Sequence, residues 1–261
     1  MKDTQKKILI LALFAGQIML ENGAETYRVE DTIIRICKAY GVSHVESFVT
    51  PTGIFVSISS DQKEADVITM VKRIRTRSID LNKVSKVNDF SRKVTLDKIS
   101  FQKGMSKLKE INMLPKYPLV LRTVCAGMAS AFFGVLLGAN AKDFISSFLI
   151  AIFVYSGVIM IGKKNANLFL ENAVGGILAS ALAILAVNLN IGTNIDKIII
   201  SSIMILLPGV SITNAVRDSI AGDLLSGLSR AAEAVIIAIS IAVGVGIVIH
   251  LWFYEIGVNF L

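Results

Sequence analysis

Cysteine is scarce in this chain: Cys37 and Cys125 stand far apart in unrelated surroundings. Two such thiols give neither a disulfide framework nor metal-ligand spacing, and both read as inert apolar filler. Histidine is equally scarce. His44 lies in an alternating segment beside Glu46, and His250 in an apolar run, neither with ligand partners at useful spacing. There is no phosphate loop, nucleophile elbow or zinc signature, so no nucleotide, metal or other cofactor is expected. Net charge is absent from one half. Residues 122–261 carry seven basic and seven acidic side chains, whereas residues 1–121 carry 20 basic and 13 acidic, the whole +7 of the chain. That excess does not point to nucleic acid. It is dense only at Lys72, Arg73, Arg75 and Arg77, which read as a solvated face near anionic lipid headgroups.

Apolar residues are abundant. Hydrophobic content is 53% and mean hydropathy +0.64, above the ~45–50% apolar share of soluble domains. The charge and hydropathy asymmetry predicts an α+β cytoplasmic domain over 1–117, followed by an all-α five-helix transmembrane bundle over 118–261. Lys6 and Lys7 precede the apolar run Ile8–Leu20, but no small-residue cleavage site follows, and the run is too short to span a bilayer. It reads as a buried helix of the first domain.

In the first half, Val29, Ile33, Ile36, Cys37 and Tyr40 fall at helical spacing, and Gly41 suits the position after a helix end. Residues 44–49 and 54–59 alternate as strands around Thr50-Pro51-Thr52-Gly53, a type I turn sequence. Val67–Arg75 fits a strand or a helix. Asp80–Val94, capped by Asp80, and Ser100–Met113 read as amphipathic helices. Pro115 and Pro118 then bracket the entry into five apolar segments: 119–139, 144–161, 168–189, 198–213 and 231–254. Glycines within them (Gly127, Gly134, Gly138, Gly175, Gly176, Gly244, Gly246) permit close helix packing, so Gly176→Leu is expected to impair assembly. Basic residues set the orientation. The first domain, Lys163-Lys164, Arg217 and Arg230 fall on one side, and Lys142 and Lys197 on the other. The first side is then cytoplasmic and the C-terminus outside.

The stretch 208–234, PGVSITNAVRDSIAGDLLSGLSRAAEA, places Asn214, Arg217, Asp218, Asp223, Arg230 and Glu233 between strongly apolar segments. Charges in such a setting need a loop, an aqueous cavity or one another. With a helix starting near Ser219, Asp223, Ser226, Arg230 and Glu233 share one face running into the fifth span, and Arg230 reaches Glu233 or Asp223. Pro208-Gly209 breaks the preceding helix and frees carbonyls, a device of secondary-transporter substrate sites. A cytoplasmic loop with ordinary surface charges accounts for the spacing equally well, and Glu171 reads as interfacial. In the first half, Glu21, Glu25, Arg28, Asp31 and Arg35 form an alternating-charge helix face, read as a solvated ladder.

Four segments, ENGAETYRVEDTIIRI (21–36), TPTGIFVSIS (50–59), the basic run with Asp80-Leu81-Asn82-Lys83-Val84, and the 208–234 stretch, together resemble the threonine/serine exporter family. Members join a cytoplasmic N-terminal domain to a membrane bundle. Some carry both halves of the membrane part in one chain. Five spans match one half, so the sequence resembles the split bacterial form, in which a second small membrane protein supplies the other. That form is associated with succinate as well as amino acid export. The resemblance implies a subunit of a secondary exporter for small carboxylate-bearing metabolites, embedded in the lipid bilayer of the cell membrane. It carries Asn214, Arg217, Asp218, Asp223, Ser226, Arg230 and Glu233 over as transport-path or gating residues. Arg217 or Arg230 would fork a substrate carboxylate, and Asp223 or Glu233 would bind a coupling proton or hold the arginine in the empty state. Glu25, Arg28, Asp31, Thr52 and Gly53 match family segments in the soluble part. Two alternatives remain. A membrane-tethered hydrolase would pair His44 with Thr50, Thr52 or Ser57, and a regulatory subunit would gate a partner channel without touching substrate.

Overall fold

The computed structural model describes residues 2–59, 67–97, 99–162 and 167–256. Lys163 and Lys164, used above for orientation, and the C-terminal Leu261 lie outside them. The chain divides into two compact units: Met1–Lys116 with Val210–Ala231, and Tyr117–Gly209 with Ala232–Leu261.

The expected architecture, an α+β cytoplasmic domain followed by a five-helix bundle, is not what the chain adopts. The structure is 74% helical, and its described residues form ten α-helices, with strand among them confined to one small three-stranded sheet. Two physical reasons account for the difference. Period-two alternation is limited to one short stretch, and the rest of the first half buries residues at helical spacing. The segment 210–231, from the apolar half of the sequence, packs as part of the first unit.

That unit opens with α1 (Lys2–Glu21) and α2 (Thr26–Ala39). Leu9, Leu11, Ile18 and Met19 of α1 meet Val29, Ile33 and Ile36 of α2 in a core where each is fully buried. Burial of one such side chain contributes about 1.5–3 kcal/mol. Gly16 lets the helices approach, since a Cβ there would lie 2.6 Å from Ile33 Cδ1. Strands β1 (His44–Thr50), β2 (Gly53–Ser59) and β3 (Ile68–Arg73) form an antiparallel sheet in sequence order. The ambiguous Val67–Arg75 region is therefore a strand. Helices α3 (Leu81–Asp97) and α4 (Phe101–Asn112) complete the core with Val84, Val87, Phe90 and Leu108.

The second unit holds α5 (Leu119–Leu136), α6 (Ala141–Gly162), α7 (Leu168–Asn188) and α8 (Ile195–Ile203), the last running into a 3-10 turn at Met204–Leu206. After the break at Leu207-Pro208 come α9 (Gly209–Ile220) and α10 (Leu224–Ile256). Among the described residues, four helices are long and apolar enough to cross a membrane: Leu119–Leu136, Ala141–Gly162, Leu168–Asn188 and Leu224–Tyr254. The number reaches five only if Ile195–Leu206 and Gly209–Ile220, bent by 60°, count as one span. Glycines set the closest approaches. A Cβ on Gly176 of α7 would lie 2.6 Å from Ile241 O of α10, and one on Gly244 would meet Ala173 O closer still. Ser130 of α5 donates to Ser201 O of α8 at 2.6 Å.

Candidate functional site

The site is built on the turn between α1 and α2. Gly23 sits at φ +93°, a left-handed conformation that reverses the chain between the two helices. Glu25 then occupies the N-cap position of α2 in extended conformation, and its side chain makes no capping bond. Glutamate is not among the good N-cap residues, so the amides of the first turn need an acceptor from elsewhere.

That acceptor comes from the segment singled out in the sequence. Asp218, near the end of α9, takes the amide of Thr26 on Oδ1 at 3.0 Å. Asp223, just before α10, accepts from the Thr26 hydroxyl at 3.1 Å. The turn carbonyls are taken as well. Asn214 Nδ2 donates to Gly23 O at 2.9 Å, and Arg230 Nη2 donates to Ala24 O at 2.8 Å. Arg230 Nε also stands 3.0 Å from Asp218 Oδ2 in an ion pair whose side chains are 7% and 0% exposed. At the rim, Arg217 donates to Glu25 Oε1 at 2.6 Å, and Arg28 lies 3.2 Å from Oε2 of the same carboxylate. Ser226 Oγ reaches Val49 O of β1 at 3.5 Å. The result is a clasp: the polar residues of α9 and early α10 bind both the amide and carbonyl groups of the α1–α2 turn.

The electrostatics follow from this arrangement. Burial alone pushes the Glu25 carboxyl up, but its own amide, the Arg217 hydrogen bond and the Arg28 charge outweigh that and hold it below the usual range. Glu30, one turn further along α2, goes the other way. Burial pushes it up, and the charges of Asp223 and Asp218 add to the rise against the Val49 amide, which it accepts at 2.7 Å. Cys37 is pushed up to about 12 by burial, which fits inert filler.

The structure thus gathers Asn214, Arg217, Asp218, Asp223, Ser226 and Arg230 with Glu25 and Arg28. Asp223 precedes α10 rather than lying within a helix begun at Ser219, because α9 runs on to Ile220 and Gly222, at φ +95°, turns the chain. Glu233 is half-buried one turn past Arg230, in the part of α10 assigned to the second unit. Pro208 and Gly209 lie at the break before α9; a Cβ on Gly209 would meet nothing within 4 Å. Asp31 pairs with Arg35 on an exposed face. Thr52 and Gly53 belong to the hairpin turn, where Thr52 O accepts the Ile74 amide at 2.9 Å. The hairpin opposes His44 to Ser59 and Thr50 to Gly53. His44 and Thr50 therefore sit at opposite ends of β1, roughly 20 Å apart along the strand, and Ser57 shares a hydrogen bond with Thr69. Among the described residues no group of His, Cys, Asp and Glu is placed to hold a metal.

Sequence reasoning missed Thr26, Glu30 and Val49, whose contribution is partly through backbone atoms. It also missed Asp143, fully buried at the start of α6. Asp143 accepts from the amides of Thr193 (2.7 Å) and Asn194 (3.0 Å) and from both their side chains, pinning the α7–α8 loop. Asn140, three residues earlier, caps that helix by accepting the Asp143 amide, and this spacing was visible in the sequence.

A family model described as "Putative threonine/serine exporter" matches residues 10–252. The "Probable threonine/serine exporter" of Mycobacterium tuberculosis is 26% identical over 248 residues, 92% of this chain but 45% of that protein. The "Threonine/serine exporter" of Corynebacterium glutamicum is 25% identical over 252 residues, 94% of this chain and 51% of that one. The "Probable succinate transporter subunit YjjP" of Escherichia coli is 22% identical over 254 residues, 96% of each. The chain spans about half the length of the first two and nearly all of the third. No solved structure matches it.

Proposed function

We propose that this chain, which belongs to the threonine/serine exporter family, is one subunit of a two-chain secondary exporter for small carboxylate-bearing metabolites. It is a multi-pass membrane protein, and in this reading it acts by transport rather than catalysis. Residues 118–261 carry its membrane part in the cell membrane, residues 1–117 face the cytoplasm, and the C-terminus lies outside. A second small membrane protein completes the path. The named subunit of Escherichia coli, matched over almost its full length, supports the two-chain form. The substrate is threonine or serine, or a dicarboxylate such as succinate, following the names those relatives bear.

The observation that carries the reading is the clasp. A helix N-terminus and a guanidinium together make a receptor for a carboxylate, and here Asp218 occupies it from within the chain. In this proposal Asp218 holds Arg230 in the empty state, and Asn214, Arg217, Asp223 and Ser226 keep the turn closed. Substrate arrival exchanges one carboxylate for another, and Glu233 lines the continuation along α10. The regulatory-subunit reading draws on the same observation, because the fork of Arg230 is already engaged by its own chain.

Efflux of radiolabelled succinate, threonine and serine from vesicles bearing this chain, its partner, or both tests the proposal. Efflux with both chains alone supports the split exporter. Full efflux from the partner by itself would leave this chain a regulator at most. A cysteine added after Leu261 and labelled only from the cytoplasmic side would overturn the orientation.

A further inference from the structure

Helix α9 is amphipathic in an unusual sense. Its polar residues Asn214 and Asp218 are buried against the protein, while Ile212, Val216 and Ile220, four residues apart, form its exposed ridge. The ridge continues over the turn as Leu224, Leu225 and Leu228, each more than 60% exposed. On α10 the buried face at this level is Ser226 and Arg230. Six large aliphatic side chains facing outward over two short stretches are far more than an aqueous surface normally leaves contiguous.

We propose that this ridge is a lipid-contact surface, and that α9 with the first turns of α10 lies in the bilayer interface with its polar side turned to the clasp. Three observations favour lipid over a protein occupant. The exposed stripe is continuous with the outward face of the spanning helix α10, at Val235, Ile239 and Val243. The ridge is bulky and aliphatic, whereas helix–helix contacts in membranes favour small residues; the close approaches within the second unit use Gly127, Gly176 and Gly244. Arg217, 56% exposed even while it donates to Glu25, sits at the edge of the buried polar face, where its remaining donors suit lipid headgroups. The 12 residues of α9 extend about 18 Å, short of the ~30 Å hydrocarbon core. The 60° bend at Leu207-Pro208 turns the chain out of the line of α8. The chain therefore descends through α8 and then bends into an interfacial helix on the side of the clasp, rather than running on as one straight span.

The test uses the full chain in phosphatidylcholine vesicles whose acyl chains carry bromine near the headgroup or near the chain ends. Trp252, the single native tryptophan, is replaced by phenylalanine, and Ile220→Trp and Leu228→Trp are introduced separately. Two positions guard against a local packing defect at either one. The expected result is blue-shifted emission at both sites that loses most of its intensity with headgroup-proximal bromine and less with bromine at the chain ends. Unquenched emission at both sites would overturn the proposal. Stronger quenching by chain-end bromine would replace the interfacial helix with a deep crossing. Quenching abolished by co-reconstitution with the second membrane protein would assign the ridge to a protein interface instead.

Discussion

Removing one partner of the Asp218–Arg230 pair tests whether the clasp holds the first unit together. Arg230→Met deletes a guanidinium whose side chain is 7% exposed and leaves the Asp218 carboxylate, 0% exposed, without its 3.0 Å counter-ion. Breaking a buried pair this way costs about 3–5 kcal/mol, and the Ala24 carbonyl loses its donor as well. Asp218→Leu is comparable: it strands the arginine and removes the acceptor of the Thr26 amide. The double variant leaves no uncompensated charge. It keeps the cap loss of about 1 kcal/mol and the lost Ala24 hydrogen bond, worth about 1 kcal/mol, while the apolar pair roughly offsets the ionic one. The cycle should therefore give a coupling energy of about 3 kcal/mol or more, larger than ordinary contacts supply. Cys37 provides the readout, being fully buried on the core face of α2. In a Cys125→Ala background, its labelling by a maleimide dye on heating in detergent reports unfolding of this unit. Single variants should unfold roughly 10 °C below the parent, with the double variant recovering most of the loss. Single variants that unfold with the parent, or a double variant as weak as the worse single, would refute the reasoning.

The same labelling assay separates the two glutamates. Glu25 is held low, so its contribution is present above the ordinary carboxylate pKa of about 4.3 and lost as pH falls through its folded value; Glu25→Gln should destabilise at pH 7 and converge with the parent in acid. Glu30 is held high, so its contribution is complete below the ordinary value and lost as pH rises through the folded one. Glu30→Gln should therefore stabilise at pH 7, with the gain vanishing in acid. Gly244→Ala drives a methyl group into the Ala173 backbone carbonyl, which cannot rotate away, whereas Gly246→Ala meets nothing within 4 Å; the first should aggregate on size-exclusion chromatography and the second elute as the parent. Asp143→Ala removes the acceptor of the Thr193 and Asn194 amides, and their hydrogen exchange should quicken by at least about tenfold, as expected for a lost charged hydrogen bond.

The hairpin of β1 and β2 was legible because period-two alternation flanks Pro51-Thr52, a turn that fixes the register from Thr50↔Gly53 outward. β3 was not, since the six residues Ile68–Arg73 carry apolar side chains at adjacent as well as alternate positions. Helical spacing exposes the charged stripe at 208–234 and the ladder at 21–36, yet spacing alone pairs each within its own helix. Arg230 instead meets Asp218 across the α9–α10 turn, and Arg217 meets Glu25 from 192 residues away. Periodicity reports which residues share a face; it carries no information about what that face touches. One local sign did exist: a helix entered through Gly23 with glutamate at its N-cap lacks an acceptor for its first amides. The inverted amphipathicity of α9 was hidden for another reason. A stripe of Ile212, Val216 and Ile220 looks like core until burial shows Asn214 and Asp218 inside.

Stability alone does not explain why the clasp is ionic. The rim pair Arg217–Glu25 has one side chain 56% exposed, and such pairs contribute at most about 1 kcal/mol. The buried pair gains little over apolar residues of similar volume, because desolvation consumes most of the attraction. An aliphatic clasp would hold the α1–α2 turn about as well; in the proposed mechanism, what the ionic one adds is the capacity to exchange its carboxylate. The Asp218→Leu/Arg230→Met double variant isolates that property, since it is expected to fold and resist Cys37 labelling nearly as the parent does. Co-reconstituted with the proposed partner chain, it should nonetheless lose whatever efflux of succinate, threonine or serine the parent supports. Parental efflux from this stable double variant would mean that the pair only fastens the turn, and the path for substrate would have to be sought along other residues of the chain.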